Sequence, residues 1–357
     1  MTRDRPDRPM SLAIGPANYA GQAYEWAEAT RRELGVPAIS FVRRPSQGAD
    51  PFRFSVHEQI GTGRGGNPWP GAEGMDEILE RATHVLADGF LPLWGSPRWG
   101  SLRRDLRRLA GRDLSVGLIS HGSDTRDPDR HMQMHDFSYY SDAPASYVWK
   151  LRRRAQANRR LAVESAVPWF VSTPDLLMDA PTATWLPVTI DPAAWTSTRP
   201  ALRDGKPRFL HVPSRRQPPI KGTVAVEAVL PQLERRGRLE YVNPSTVPHE
   251  SMPSWVLGVD VVIDQLQSGF YGVAAVEAMA AGRLVIGNVS DETRALMPEA
   301  PPIVDATPTT LGEVVSLILE SPDHYAALAE RGPGFVARWH SGRAAARAIA
   351  TFLEVSG

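Results

Sequence analysis

The 357-residue sequence contains no cysteine. Disulfides, zinc thiolates, iron–sulfur clusters and thiol nucleophiles all need that sulfur and are therefore excluded. Lysine is almost as scarce: only Lys150, Lys206 and Lys221 stand among 40 basic residues, and the rest are arginine. With abundant alanine, glycine and proline, this is the codon bias of a GC-rich genome, so arginine content alone gives no sign of nucleic acid. Neither charge sign is in excess, 40 basic facing 40 acidic side chains, which excludes acidic or basic tails as the main feature. No run approaches about 18 uninterrupted apolar residues, and Met1 to Pro9 is Arg/Asp/Pro-rich without the apolar core of a signal peptide. The expectation is a cytoplasmic enzyme or binding protein.

What is present is an ordinary folded composition, 42% hydrophobic and 22% charged, over a length that suits two domains. Ser11 to Gly15 reads as a strand, followed by a small-residue loop and by helical periodicity over Gln22 to Leu34. Ala38 to Val42, Thr83 to Ala87, Ser115 to Ser120 and Pro168 to Ser172 read as further strands. Ser101 to Ala110 and Ser146 to Ser165 read as helices, whereas Arg44 to Gly74, rich in Gly and Pro, reads as surface loop. Asp191 to Pro207 is Pro-rich and aperiodic and marks the linker. A second alternation then begins: strand Arg208 to Val212, helix Thr223 to Arg235, strands Leu239 to Val242 and Val259 to Asp264, helix Gly272 to Ala281, strand Leu284 to Gly287, helix Thr309 to Glu320. Strands alternating with helices predict an α/β fold of two doubly wound, Rossmann-like domains facing across a cleft, with ligands at the carboxyl ends of the strands. The expected division is 10–195, 205–333 and a C-terminal segment 334–357.

Two segments carry chemistry. Gln267 to Gly282 combines a glycine-containing turn with a helix start near Gly272, whose unpaired backbone N–H groups suit a phosphate. Glu277 lies about a turn and a half inside, placed to accept two hydrogen bonds from the vicinal hydroxyls of a ribose. The same pattern also reads as a solvated glutamate after a glycine turn. His211 to Thr223 is again strand, loop and helix start, with Arg215 and Arg216 upstream of Lys221. Two cations at a helix N-terminus match a diphosphate. Alternatively the arginines are surface charges and Lys221 is incidental.

The loop ending in Lys221-Gly222-Thr223, the short helix start Pro248-His249-Glu250-Ser251-Met252-Pro253, the strand Val259 to Asp264 and the run from Gly269 to Gly282 resemble the nucleotide-sugar-binding half of retaining GT-B glycosyltransferases. The likeness is to the group related to glycogen synthase and sucrose synthase and to its actinobacterial members, and it is specific over Arg208 to Gly287. It implies a GT-B fold with a nucleoside diphosphate sugar as donor. The diphosphate would be held by Arg215, with Arg216 as the alternative, by Lys221 and by the amides of Gly272 and Val273. The ribose would be held by Glu277, with Tyr271 beside the site. The family places a second glutamate eight positions before the ribose glutamate, on the donor sugar; here that position is Gly269. The sugar contact is then missing or comes from a group such as Asp264 or Gln265.

In the first half, His121-Gly122-Ser123-Asp124 follows a strand and should sit at its carboxyl edge. His121 is the candidate for the cleft histidine that the resemblance places beside the reacting sugar; a structural histidine is the alternative. Asp124 would hold His121 or an acceptor hydroxyl, or cap a turn. Asn18, Gly21 and Gln22, in the first loop and helix start, are the acceptor-side candidates. Arg103, Arg104, Arg107 and Arg108, and Lys150 with Arg152, Arg153, Arg154, Arg159 and Arg160, read as solvated helix faces, with docking to an anionic membrane or a phosphorylated acceptor as the alternative. His131 and His135 have i, i+4 spacing but lack the glutamate of the protease motif and a third ligand, so no metal is expected.

The resemblance thus implies transfer of a sugar to a glycan, lipid or small-molecule acceptor, with retention and without a metal or other cofactor. A nucleotide-sugar epimerase or a phosphorylase shares the double fold and remains a rival. So does a degenerate homologue that binds without turnover, which the glycine at 269 motivates. The helical, Ala-rich run from Gly334 to Leu353 should cross back onto the first domain.

Overall fold

Short continuous apolar runs such as Leu12–Gly15, Ser115–Ser120 and Leu284–Gly287 suit strands covered on both faces, and they form parallel sheets. The computed structural model describes residues 9–45, 54–62, 72–95, 101–213, 220–244 and 247–354. In the first half, β1 (Leu12–Gly15), β2 (Ala38–Pro45), β3 (Glu58–Thr62), β4 (His84–Asp88), β5 (Ser115–Ser120), β6 (Trp169–Val171) and β7 (Thr184–Trp185) pair in the order β3-β2-β1-β4-β5-β6-β7. In the second, β8 (Arg208–Leu210), β9 (Glu240–Val242), β10 (Val261–Ile263), β11 (Leu284–Gly287) and β12 (Ile303–Asp305) pair in the order β12-β11-β10-β8-β9. Every pairing is parallel, with Leu12 opposite His84 across β1 and β4 and Val261 opposite Phe209 across β10 and β8.

Both orders reverse direction once, between β1 and β4 and between β8 and β10. Helices that leave neighbouring strands toward opposite faces open a crevice there, outside the carboxyl ends of those strands. The residues that follow β1, β4, β8 and β10 are therefore the ones the topology delivers to a ligand site. Each sheet is covered on both faces by apolar clusters, one built on Phe41, Met75 and Leu118, its opposite on Leu12, Ile14 and Trp26, and two more about Val285 and Phe209.

The structure departs from the sequence pattern at several places, three of which bear on how the halves are joined and covered. The stretch 44–74, expected as loop, contributes the edge strand β3 and the start of helix Ala72–Arg81; β3 is held by its five-residue register with β2 rather than by apolar alternation. The linker expected over 191–207 is not free chain: Trp195 is buried with Val188 and Ile190 among second-half residues, and Ala201 and Leu202 join a second cluster there. The C-terminal run is two helices, Gly332–Trp339 and Arg343–Glu354, separated by a turn in which Gly342 has φ +100°. The first puts Phe335 and Val336 into the second half's core, and the second puts Ala345, Ile349, Phe352 and Leu353 onto Leu12, Ile14 and Trp26 of the first.

Phe352 stands edge-on to Phe170 with ring centroids 6.1 Å apart and is 3% exposed. Truncating it leaves a cavity that the flanking strands cannot collapse to fill. Phe352→Ala is expected to cost about 3–5 kcal/mol of unfolding free energy, read from the shift of a urea midpoint at unchanged slope. A loss below about 1 kcal/mol would mean that this helix contributes little to the first half.

Candidate active site

On the second half, the loop after β10 runs from Asp264 to Gly272, and Gly272 is the N-cap of helix Val273–Ala280, with no side chain among the described residues bonded to the open N–H groups. Those amides carry a partial positive charge and point out of the carboxyl edge of the sheet. A Cβ on Gly272 would stand 2.7 Å from Gln265 Nε2, so the glycine lets that amide lie against the turn. Glu277, 4% exposed, is inside the same helix, and its Oε1 accepts from His249 Nε2 at 3.2 Å. Burial pushes its carboxyl above the ordinary value, against the opposing pull of His249 and Lys221.

Lys221 lies in the turn that follows β8 and precedes helix Thr223–Arg235. Its Nζ is 3.0 Å from Asp264 Oδ1, and Oδ2 of that carboxylate is buried with no hydrogen-bond partner among the described residues. The adjoining Gly222 has φ +68°, and a Cβ there would stand 2.8 Å from Leu266 Cβ, so only glycine lets the two loops pass. Underneath, fully buried His211 locks the switch point: Nδ1 donates to the Ile263 carbonyl of the β10 end and Nε2 accepts from Thr223 Oγ1, both at 3.0 Å. Burial lowers its pKa to about 4, which keeps the ring neutral for both bonds. The result is a cation, a carboxylate, a helix N-terminus and a second carboxylate collected at one crevice. Arg215 and Arg216 lie outside the described residues. Tyr271, expected beside the donor, has its hydroxyl bonded to His340 Nε2 at 3.0 Å inside the core, with its phenol pushed up by burial.

On the first half, His121 follows β5 and its Nε2 donates to Asp88 Oδ1, at the end of β4. Asp88 is fully buried and its Oδ2 accepts from the Asn18 backbone N–H at 2.7 Å. The His121 ring packs on Trp26 and meets the edge of Tyr19. Asp124 accepts from the N–H groups of His121 and Gly122, which is the turn-capping role. Asn18 is buried with φ 52° and its side chain bonds Ser55 O and Tyr24 N. Gln22 is taken up by both backbone groups of Thr189, at 3.0 and 2.6 Å, so it anchors the returning chain instead of facing a ligand. A cavity of about 480 Å³ opens beside His121, walled by Tyr19, Phe90, Pro92, Asp124, Arg154 and Asn158.

The two sides meet through Phe54. Its ring lies 3.1 Å from the position of a Cβ on Gly21, whose φ is +75°, and 4.4 Å between centroids from His249, the partner of Glu277. Asp88, Phe54 and His249 are not evident as site residues in the sequence. Asp88 carried a usable signal, an acid at the carboxyl end of a switch-point strand, whereas Phe54 and His249 meet only in the folded chain. Among the described residues no three His, Asp or Glu side chains are grouped to hold a metal, and no helix is long and apolar enough to cross a membrane. Much of the arginine is spent on carboxylates: Arg152 on Asp129, Arg159 on Asp127, Arg103 and Arg160 on Glu164, Arg108 on Asp76.

Neither a protein-family model nor a curated protein matches the sequence. Solved structures do match in fold. Sucrose-phosphate synthase from Thermosynechococcus elongatus superposes with a TM-score of 0.61 at 16% identity, over 98% of this chain and 99% of that one. Anabaena HepE in complex with UDP gives 0.57 at 12% identity over 97% and 100%. UDP-GlcNAc 2-epimerase from Neisseria meningitidis bound to UDP-GlcNAc gives 0.53 at 13% identity over 97% and 100%. The seven- and five-stranded parallel sheets with interleaved helices are the two-domain, Rossmann-like GT-B architecture that these proteins share.

The His121–Asp88 pair has a pH signature. Burial opposes the charged imidazole, but the Asp88 carboxylate, with Asp124 behind it, outweighs burial and raises the pKa above 6.5. The native state then holds this proton more tightly than the unfolded chain, so the pair's contribution is complete below about pH 6.5 and is lost as pH rises through the raised native value. The difference in unfolding free energy between the parental protein and Asp88→Asn is expected to shrink across that window. A difference that stays constant with pH would show that the imidazole is not charged by Asp88.

Proposed function

We propose that the protein transfers a glycosyl group from a nucleoside diphosphate sugar to an acceptor hydroxyl, with retention of configuration and without a divalent ion. The observation that carries this reading is the convergence of Lys221, the open amides of Gly272 and Val273, and Glu277 at the switch point between β8 and β10. The terminal phosphate of the donor would sit on those amides and on Lys221, the ribose hydroxyls on Glu277 after His249 moves aside, and the sugar against the opposite half, where His121 waits. Asp264 holds the Lys221 ammonium in place in the free protein; an arriving diphosphate offers a more highly charged partner at the same point. Asp264, Arg215 and Arg216 complete the proposed donor site.

In the reaction the anomeric carbon–oxygen bond breaks and its electron pair passes to the diphosphate. The acceptor oxygen bonds to the same face of that carbon, and its proton goes to the departing phosphate oxygen. Negative charge grows on the terminal phosphate as the bond breaks, so a fixed ammonium in a partly dry crevice lowers the barrier more than it tightens the ground state. The cavity beside His121 would take the acceptor, with Tyr19, Asp124 and Arg154 shaping its wall. That the fold is shared with sugar-nucleotide enzymes, HepE having been solved with UDP and with UDP-glucose, supports a nucleotide-sugar donor.

Donor turnover in the presence of a chelator tests the assignment. Lys221→Ala is expected to lower kcat roughly 10²–10³-fold, as for loss of one oxyanion-type donor, while Glu277→Ala chiefly raises KM for the donor. The double variant Lys221→Ala/Asp264→Asn removes both charges and separates loss of the cation from the stranding of a buried carboxylate. Parental turnover by Lys221→Ala would move the leaving-group role to Arg215 or Arg216, and product formed without any acceptor would select the epimerase reading.

A further inference from the structure

We infer that His135, pressed by the first half against Gly269, is the residue that binds the hydroxyls of the donor sugar and sets which sugar is accepted; this rests on the donor site proposed above. Gly269 lies three residues before Gly272, with φ +69°, in the loop that leads to the phosphate-binding helix terminus. A sugar joined to the terminal phosphate must lie within one ring's width of that terminus, between this loop and the opposite half. At that point the loop presents no side chain. A Cβ on Gly269 would stand 2.3 Å from His135 Cε1 and 2.5 Å from its Nε2, so the imidazole occupies the space that any side chain at 269 would claim.

The loop that the ring faces is held in place from both sides. The loop is strapped to the first half on consecutive residues: Tyr139 N–H donates to the Gln267 carbonyl at 3.2 Å, Gln267 Nε2 to Asp142 at 2.7 Å, and His131 Nε2 to the Ser268 carbonyl at 2.9 Å. Phe270 lies under the buried Arg126 guanidinium, 4.0 Å from the ring centroid, and Arg126 is paired with Asp175. From the other side the Gly269 carbonyl accepts from Ser290 N–H and Thr293 Oγ1. His131 spends its second nitrogen on Ser138 Oγ at 2.7 Å and is scaffold. His135, one turn on and 4.4 Å away between ring centroids, is only partly buried, and among the described residues its ring nitrogens have no hydrogen-bond partner. A fixed, partly exposed imidazole with one donor and one acceptor unspent is suited to a pair of sugar hydroxyls.

Calorimetric titration with UDP, UDP-glucose and UDP-N-acetylglucosamine tests this. His135→Ala is expected to leave the Kd for UDP within about twofold and to weaken the better-bound sugar nucleotide about tenfold, narrowing the difference between the two sugars. His135→Gln, which keeps a donor and an acceptor, should restore part of the loss. Gly269→Ala, which forces the ring aside, should reproduce it with His135 present, and it remains informative if His135→Ala does not fold. Parallel weakening of UDP and the sugar nucleotides would make His135 structural and overturn the inference, as would unchanged affinity for all three. Failure of the parental protein to bind any of UDP, GDP and ADP would instead remove the donor reading and this inference with it.

Discussion

The buried imidazole of His340 is the contact on which the relation of the two halves depends. Its Nδ1 donates to the Val188 carbonyl at 2.7 Å, its Nε2 accepts the Tyr271 hydroxyl at 3.0 Å, and its own carbonyl accepts the Ile190 N–H at 3.0 Å. The chain passes between the halves at two places, near 188–190 going out and near 340 coming back. One side chain ties those passages to each other and to the donor loop. Burial lowers its pKa to about 4, so the ring is neutral and keeps one donor and one acceptor, as these partners require. An apolar substitute at 340 would strand a carbonyl and a phenol in the core.

With the passages fixed, the topology does the rest. Each sheet has one reversal of order, and each reversal opens a crevice at the carboxyl ends of its strands. In the second half that crevice collects two polar pairs in a poorly solvated place: the Lys221 ammonium against the Asp264 carboxylate, and Glu277 against the His249 ring. Each pair offsets part of the cost of burying its groups, while Asp264 Oδ2 is left without a hydrogen-bond partner among the described residues. The first half supplies a counterpart in which Asp88 spends one oxygen on His121 and the other on the Asn18 backbone. Phe54, the segment 131–142 and the loop 267–270 then bring the two edges together, so groups far apart in sequence line one space.

The architecture was largely legible from the sequence because most strands are continuous apolar runs and their helices are amphipathic or capped by glycine. Helix Gln22–Leu34 and strand β5 fall where periodicity puts them. The edge strand β3 did not announce itself, since its pairing with β2 owes nothing to local pattern, and β7 and β12 are too short to show a period. A lysine in an arginine-rich chain and a carboxylate behind a glycine turn stand out locally, and the fold places Lys221 after β8 and Glu277 in the helix that follows the β10 loop. Gln22 and Tyr271 looked alike in the sequence, polar groups at helix starts, yet Thr189 and His340 arrive from far along the chain and claim them. The same long-range arrivals explain why Phe54 and His249 are not evident as site residues in the sequence: they meet only in the folded chain.

The most direct measurement of the central claim, that the switch point between β8 and β10 is a nucleoside diphosphate site, is a crystal structure of the protein with UDP. The diphosphate should lie on the amides of Gly272 and Val273, with Lys221 Nζ turned from Asp264 to a phosphate oxygen, the ribose hydroxyls on Glu277, and His249 displaced. UDP bound in the cavity beside His121, or anywhere that leaves Lys221 on Asp264 and His249 on Glu277, would contradict it.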